Sequence, residues 1–366
     1  MVRTEEMLLN IGPQHPSTHG VLRLVVKLDG EMITEVKPVI GYLHRGTEKI
    51  AENLMYPQII PYTDRMDYTS AMTTNYVFCH AVETMMGVEV PERAEYLRVI
   101  AMELNRISSH LIWFGTFLLD LGAVSPFLFA FREREMILNL LNELSGARLT
   151  FNYMRVGGVK WDAPDGWLDK VRDFIPYMHE QIEGYHDLAI GNEIVQSRVK
   201  GVGRYSKEEA VAHALSGANL RCTGVNVDMR KVRPYSIYDR FNFEAVVKND
   251  GDAWARLECR LGEMVESLKI LAQAVEQFPA DGKILAKVPK VVKPPAGETY
   301  VSVESPRGEV GCYIASQGKK EPYRLKFRRS SLFNLQIVPK LLIGQTISDL
   351  VVILGSIDIV LGEVDG

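Results

Sequence analysis

A chain of 366 residues, 46% hydrophobic and 24% charged, carries enough apolar material for a large core, which excludes disorder as its main state. Lys and Arg number 42 against 46 Asp and Glu, and the net charge of -4 gives no electrostatic reason to hold DNA or RNA. Cys79, Cys222, Cys259 and Cys312 stand far apart without a C-x-x-C pair, so spacing offers neither a disulfide framework nor a self-contained zinc or iron–sulfur site, and the expected compartment is the reducing cytoplasm.

The chain opens Met1-Val2-Arg3-Thr4-Glu5-Glu6, with acids where a secretory signal needs an apolar run, so export is not expected. From Met7 to Ile40 the pattern alternates, turns at Asp29-Gly30 and resumes at Met32, which predicts a small hairpin-based sheet. The period then changes. Helical spacing covers Arg65 to Gly87 and Pro91 to Leu121, where Leu97, Ala101, Leu104, Ile107, Leu111, Phe114 and Leu118 recur three or four residues apart. Pro91 with Glu92 and Glu95 suits a helix start, because proline lacks only a donor that the first turn leaves free and the acids oppose the dipole. Ile107 to Phe131 is the most membrane-like stretch, but Asp120 splits it into uncharged pieces of 13 and 11 residues. A span needs about 20, so buried core helices are expected. Further helices are predicted over Pro126 to Leu144, Asp165 to Ile194, Ser206 to Ala214 and Asp252 to Phe278. After the basic, proline-bearing connector from Pro289 to Pro295, strands are predicted at Thr299 to Glu304, Gly308 to Ala315 and Tyr323 to Phe327. Short apolar helices close the chain; Gly344, Asp349 and Gly355 interrupt Leu341 to Ile357, so no bilayer crossing is expected there either.

The expected fold is therefore α+β: a central α-helical bundle, with β pieces from both ends as candidates to share one sheet. Three segments are expected, namely a β-rich 1–60 carrying a histidine loop, a helical core over 61–288, and 289–366 with a β segment and short helices.

Three constellations carry candidate chemistry. Gly12-Pro13-Gln14-His15-Pro16-Ser17-Thr18-His19-Gly20 spaces two histidines four apart, but Pro16 and Gly20 make it a turn, so the helical argument for metal ligation does not apply. Loop histidines satisfied by backbone are the plain reading; an imidazole aimed into a cavity would move protons near neutral pH. Tyr62-Thr63-Asp64-Arg65-Met66-Asp67-Tyr68-Thr69-Ser70 reads first as a helix cap through Asp64 or Asp67, and second as a hydroxyl donor, Tyr68, beside a fixed charge, Arg65. Asp120 lies in an apolar run and, if buried, needs a partner such as His19. It could equally be an N-cap or helix-end carboxylate facing a loop. Gly201-Val202-Gly203 lacks the third glycine of a dinucleotide loop, and His179 and His186 read as surface or packing residues.

Taken together, these passages resemble the D component of the proton-pumping NADH:quinone oxidoreductase, respiratory complex I. The resemblance rests on GPQHPSTHGVLRL at 12–24, GYLHRGTEKIAE at 41–52, PYTDRMDY at 61–68, ERAEYLRVIAMELNRISSHL at 92–111, DLGAVSPF at 120–127, REREMI at 132–137, NYMRVGGV at 152–159, ESPRGE at 304–309 and DIVLGEVDG at 358–366, almost the full chain. The family is itself similar to the large subunit of [NiFe]-hydrogenases, which need two C-x-x-C pairs of soft thiolates. The corresponding positions here are Asp67, Ser70, Val360 and Glu363, so the active-hydrogenase alternative fails on ligand chemistry and the vacated cleft is left for an organic electron carrier.

The resemblance implies that His19 and Tyr68 contact the head of a menaquinone or ubiquinone substrate and that Asp120 pairs with the histidine. His15, Asp67, Ser70, Asp358 and Val360 match other chamber positions, and Arg45 and Arg65 match basic residues beside a [4Fe–4S] cluster held by the cysteines of the partner iron–sulfur subunit, the B component of the complex. It implies no metal in this chain, further contacts with the C component and the membrane-arm subunits, and a peripheral place on the cytoplasmic side of the cell membrane. Reference pKa values of about 10 for tyrosine and 6.5 for histidine make the histidine the easier proton donor. Thr150 stands where many members carry a histidine linked to pH-dependent cluster behaviour, so weaker proton coupling at the cluster is expected; Gly366 ends the chain where some relatives end with arginine. A scaffold that only docks the cluster-bearing subunit is the remaining alternative.

Overall fold

A computed structural model describes residues 6–13 and 20–366. The first sheet is antiparallel, with β1 (Glu6–Ile11), β2 (Arg23–Asp29) and β3 (Met32–Val39) in that order, and its hairpin turns at Gly30 with φ +63°. Alternation puts Leu24, Val26 and Leu28 inside. Then come α1 (Thr47–Ala51), α2 (Tyr56–Thr63), α3 (Ala71–Met86), α4 (Glu92–Asp120) and α5 (Val124–Ser145), followed by the two-residue strands β4 (Met154–Arg155) and β5 (Gly158–Val159). The chain continues through α6 (Trp167–Tyr185), α7 (Glu193–Val199), α8 (Lys207–Ala212), α9 (Ala218–Arg221), α10 (Met229–Val232) and α11 (Ala253–Glu276). A second antiparallel sheet, β6 (Gly297–Ser305), β7 (Gly308–Ser316) and β8 (Arg324–Arg328), precedes α12 (Ser330–Leu335), α13 (Val338–Leu342), α14 (Ile347–Ile357) and α15 (Leu361–Asp365).

Helix α4 is the axis of the molecule. Its predicted apolar series, Leu97 through Leu118, is fully buried, and so are Arg98, Glu103, Arg106, Ser109 and His110 on its other faces. A helix buried on every side must pair its charges inside. Arg106 and Arg230 both meet Glu103 at 3.2 Å, Arg230 meets Asp228 at 2.7 Å, and Arg221 meets Glu263 at 2.6 Å and Glu304 at 2.7 Å. His110 closes the series on Glu263 at 3.1 Å. These groups tie α4, α9, α10, α11 and β6 together. No helix among the described residues is long and apolar enough to cross a membrane.

Three expectations need correction. The terminal β pieces do not share a sheet: β1–β3 pack with α13 and the other C-terminal helices, whereas β6–β8 lie on α3 as part of the main core. Each set forms its hydrogen bonds locally through hairpins, and the only strand-like link between the ends is the isolated Met32–Thr346 bridge among the described residues. The single helix expected from Asp165 to Ile194 also breaks. A π turn occupies His186–Ile190 and α7 starts anew at Asn192, whose side chain accepts from the N–H groups of Ile194 and Val195. Residues 65–70, expected as helix, form turns before α3.

Candidate functional site

The C-terminal half of α4, the start of α5, the turn after α2, the β6–β7 turn and the link between α14 and α15 enclose a cleft of about 240 Å³. Tyr68, Thr69, Ile112, Trp113, Thr116, Leu119, Asp120, Phe127, Arg307, Asp358, Ile359 and Val360 line it. Four residues named from sequence, Tyr68, Asp120, Asp358 and Val360, thus come together from points up to 292 positions apart in the chain. His15 and His19 lie outside the described residues.

Asp120 is the last residue of α4 and half-buried. It does not cap the next helix, which starts after Ala123. A carboxylate at the α4 C-terminus adds to the negative end of the helix dipole, so the helix gains nothing from it. Asp67 likewise does not cap α3, whose first flanking residue is Ser70. Instead it is buried behind the cleft lining, accepts from the Thr69 hydroxyl at 2.9 Å, and pairs with Arg307 at 2.9 Å. The Ser70 hydroxyl donates to Thr73 at 3.3 Å and is not part of the lining.

Tyr68 lines the cleft and is half-buried. Burial raises its phenol above the ordinary tyrosine value, Arg307 and Arg45 oppose that shift, and Asp67 adds to it, so the hydroxyl is protonated at neutral pH. Arg45 stands behind this turn, donating through Nη1 to the Arg65 carbonyl at 2.7 Å and through Nη2 to the Gly362 carbonyl at 2.9 Å. Arg65 is exposed and donates to the Pro61 carbonyl. Neither arginine is among the residues that line the cleft.

Sequence reading missed Arg307, Ser109, Trp113 and Arg260. Arg307, at the tip of the β6–β7 hairpin, bridges Asp67, Ser109 at 2.9 Å and Asp358 at 3.2 Å. Trp113 donates its indole N–H to the Gly355 carbonyl at 2.7 Å and carries the Arg260 guanidinium 4.3 Å above its ring, which fixes the back wall. The available signal was the arginine in the turn Pro306-Arg307-Gly308 of a hairpin otherwise rich in buried positions.

Glu363 and Val360, which the resemblance sets at thiolate positions, are both hydrogen-bonded. Glu363 accepts from Ser330 N and Oγ, each at 2.8 Å, and from Ser331 N at 3.0 Å and its hydroxyl. The Ser331 hydroxyl in turn accepts from Val360 N at 3.2 Å. Among the described residues no three His, Cys, Asp or Glu side chains are grouped to hold a metal ion, and the four cysteines are buried. Close in the chain to the lining residues Leu119 and Phe127, the apolar Val124, Leu128 and Phe129 are exposed near the corner between α4 and α5.

Fold and cleft together define an α+β protein whose interior cleft has a polar, arginine-centred floor, with apolar side chains exposed near it. Residues 120–295 and 287–366 match the family described as respiratory-chain NADH dehydrogenase, 49 Kd subunit, and the chain belongs to that family, which supplies the D component of complex I. It is 75% identical to the D component of NADH-quinone oxidoreductase from Bacillus cereus, 74% to that of Bacillus anthracis and 72% to that of Geobacillus thermodenitrificans, each over 366 residues and the whole of both chains.

Proposed function

We propose that this chain forms, with the iron–sulfur subunit of the same complex, the site where a membrane quinone is reduced. The observation that carries the reading is the convergence of Tyr68, Asp120, Arg307 and Asp358 on one cleft with apolar side chains exposed near it. A quinone has a polar head that takes two electrons and two protons, and a long apolar tail. The floor suits the head. The exposed Val124 and Leu128, at 55% and 60%, support a mouth that opens towards lipid, and in this reading the chain lies peripherally on the cytoplasmic side of the membrane.

In this reading a [4Fe–4S] cluster in the partner would supply the electrons, Arg45 and Arg65 would face that partner, and Tyr68 and His19 orient the carbonyls and donate protons. Asp120 favours the imidazolium and holds the ring, and charge changes there are felt by membrane subunits as the start of proton translocation. His15, Asp67, Ser70 and Val360 complete the chamber in supporting places. Roles then follow the chain, with residues 1–60 bringing the histidine loop, 61–288 the helical frame and Tyr68, and 289–366 the segment that returns to the cleft.

Tyr68→Phe and His19→Ala, built into the assembled complex, test this. With subunit composition intact, quinone turnover is expected to fall about 100-fold, the scale of one positioned acid–base group. Unchanged turnover in the intact assembly would leave only a docking scaffold.

A further inference from the structure

Asp358, on the cleft wall, has a backbone that L-residues rarely adopt: φ +59° and ψ +66°, in the left-handed region, at the C-terminal end of α14. Ile359 and Val360 follow it and also line the cleft, so this wall starts from that turn. A helix leaves its last four carbonyls without partners of its own, and the last turn of α14 is buried away from water. Three of those carbonyls are taken up by other helices. Trp113 of α4 donates its indole N–H to the Gly355 carbonyl at 2.7 Å, and Asn219 of α9 donates to the Ile357 carbonyl at 2.9 Å. Arg260 of α11 donates through Nη1 to the Ser356 carbonyl at 2.9 Å and through Nη2 to the Ile357 carbonyl at 3.0 Å. The same guanidinium lies 4.3 Å over the Trp113 ring, and its Nε faces Asp358 Oδ2 at 3.7 Å while Arg307 holds Oδ1 at 3.2 Å. One buried side chain therefore reaches the last two carbonyls of the helix, the carboxylate that follows them and the ring of Trp113, without itself lining the cleft.

We infer that Arg260 and Asn219 are positioning residues of the cleft: from behind the lining they hold the turn from Ser356 to Asp358, so that Asp358, Ile359 and Val360 keep their place in the wall that receives the quinone. The inference rests on reading the cleft as a quinone site. A guanidinium suits the place, because its planar fork serves two carbonyls at once and its face lies on the indole, whereas an ammonium is a point charge that serves fewer acceptors in fixed geometry. Its charge also offsets the negative end of the α14 dipole. Tyr68 sits on a different segment, the turn after α2, so loosening the α14 turn acts on how the wall binds the quinone and leaves this proton donor in place.

The test measures KM and kcat for a short-chain quinone with Arg260→Lys, Asn219→Ser, Arg256→Lys and Tyr68→Phe, in preparations matched for intact complex. Arg260→Lys keeps the charge but loses the fork, and KM is expected to rise about tenfold, the worth of one charge-assisted hydrogen bond, with kcat near the wild-type value. Arg256 is the control. It is buried one turn earlier on α11 and donates to the Gly203 and Gly251 carbonyls and the Ser356 hydroxyl, so Arg256→Lys is expected to loosen the core and leave KM near wild type. Equal rises in KM for the two arginine variants would mean general loosening and overturn the inference, as would a fall in kcat with KM unchanged in Arg260→Lys. If KM in Arg260→Lys stays at the wild-type value while Tyr68→Phe lowers turnover, the positioning role is wrong and the quinone reading stands. If both are silent, both fall. Should Arg260→Lys fail to assemble, Asn219→Ser decides: a KM about fivefold higher with kcat held supports the positioning role, and an unchanged KM overturns it.

Discussion

Asp64 is a carboxylate whose surroundings oppose its own charge. It is fully buried and accepts the Asn152 backbone N–H at 3.1 Å, yet burial still pushes its pKa up to about 6. The N–H of Asn152, together with Arg65, Arg155 and Asn75, only partly offsets that cost. Because the folded value lies above the unfolded value of about 3.9, the stability Asp64 contributes is fully present below pH 4 and is lost as pH rises through about 6. Asp64→Asn keeps an acceptor for Asn152 and removes the charge. The variant complex is expected to be more stable than wild type by about 3 kcal/mol at pH 7.5 and nearly equal to it below pH 4, read by thermal melting at both values. Greater stability of the wild type at pH 7.5 would show that the hydrogen bond outweighs the desolvation. Sequence foresaw that Asp64 would bind backbone, but through a helix cap; the actual partner is 88 positions away, in a loop where Thr150 and Asn152 both take positive φ. Spacing cannot reveal a partner brought in by packing.

At the level of elements, the position of Arg307 depends on two glycines that meet. Gly308, at φ +119°, lies so close to the α9 entry that a Cβ there would come within 2.3 Å of Ser216 Oγ and 2.6 Å of Gly217 N. A Cβ on Gly217 would meet Gly308 Cα at 2.7 Å. The β6–β7 turn is thus pressed against the chain entering α9, and the Asn334 side chain holds it by donating to the Arg307 carbonyl at 2.9 Å. Gly308→Ala is expected to destabilise the protein by about 1–3 kcal/mol, through overpacking and strained backbone, and to raise the quinone KM by displacing Arg307. Chemical denaturation and steady-state kinetics on the same preparation check both effects; a stable variant with normal KM would show that the turn has room. The hairpin itself was legible, since turn residues and alternation are local signals. α4 was legible for a similar reason, because its apolar spacing extends over many turns of helix and nothing local competes with it. The α6–α7 break was not, because a π turn keeps the residue types of a helix and changes only which carbonyl each N–H reaches.

Across the whole molecule, cohesion between the central helices relies on charge as well as apolar packing. Arg221 is fully buried and faces Glu263, Glu304 and Asp228 at once. Removing it leaves three carboxylates without their shared cation. Arg221→Met is therefore expected to cost about 3–5 kcal/mol, more than an ordinary core truncation of similar size, and to lower the yield of assembled complex. Urea titration against a Leu257→Ala control separates a charge effect from a packing effect; equal losses would mean the network is neutral for stability. By itself the sequence determined the class of fold, the helical core and the family, because periodicity and dense motifs are properties of neighbouring residues. Only the tertiary structure decided that the two end sheets stay apart, that Arg307 joins Asp67 to Asp358, and that Tyr68 and Asp120 line one cleft. Those outcomes depend on which buried surfaces and charges find each other across hundreds of residues, and burial energy is set by three-dimensional neighbours rather than by spacing along the chain.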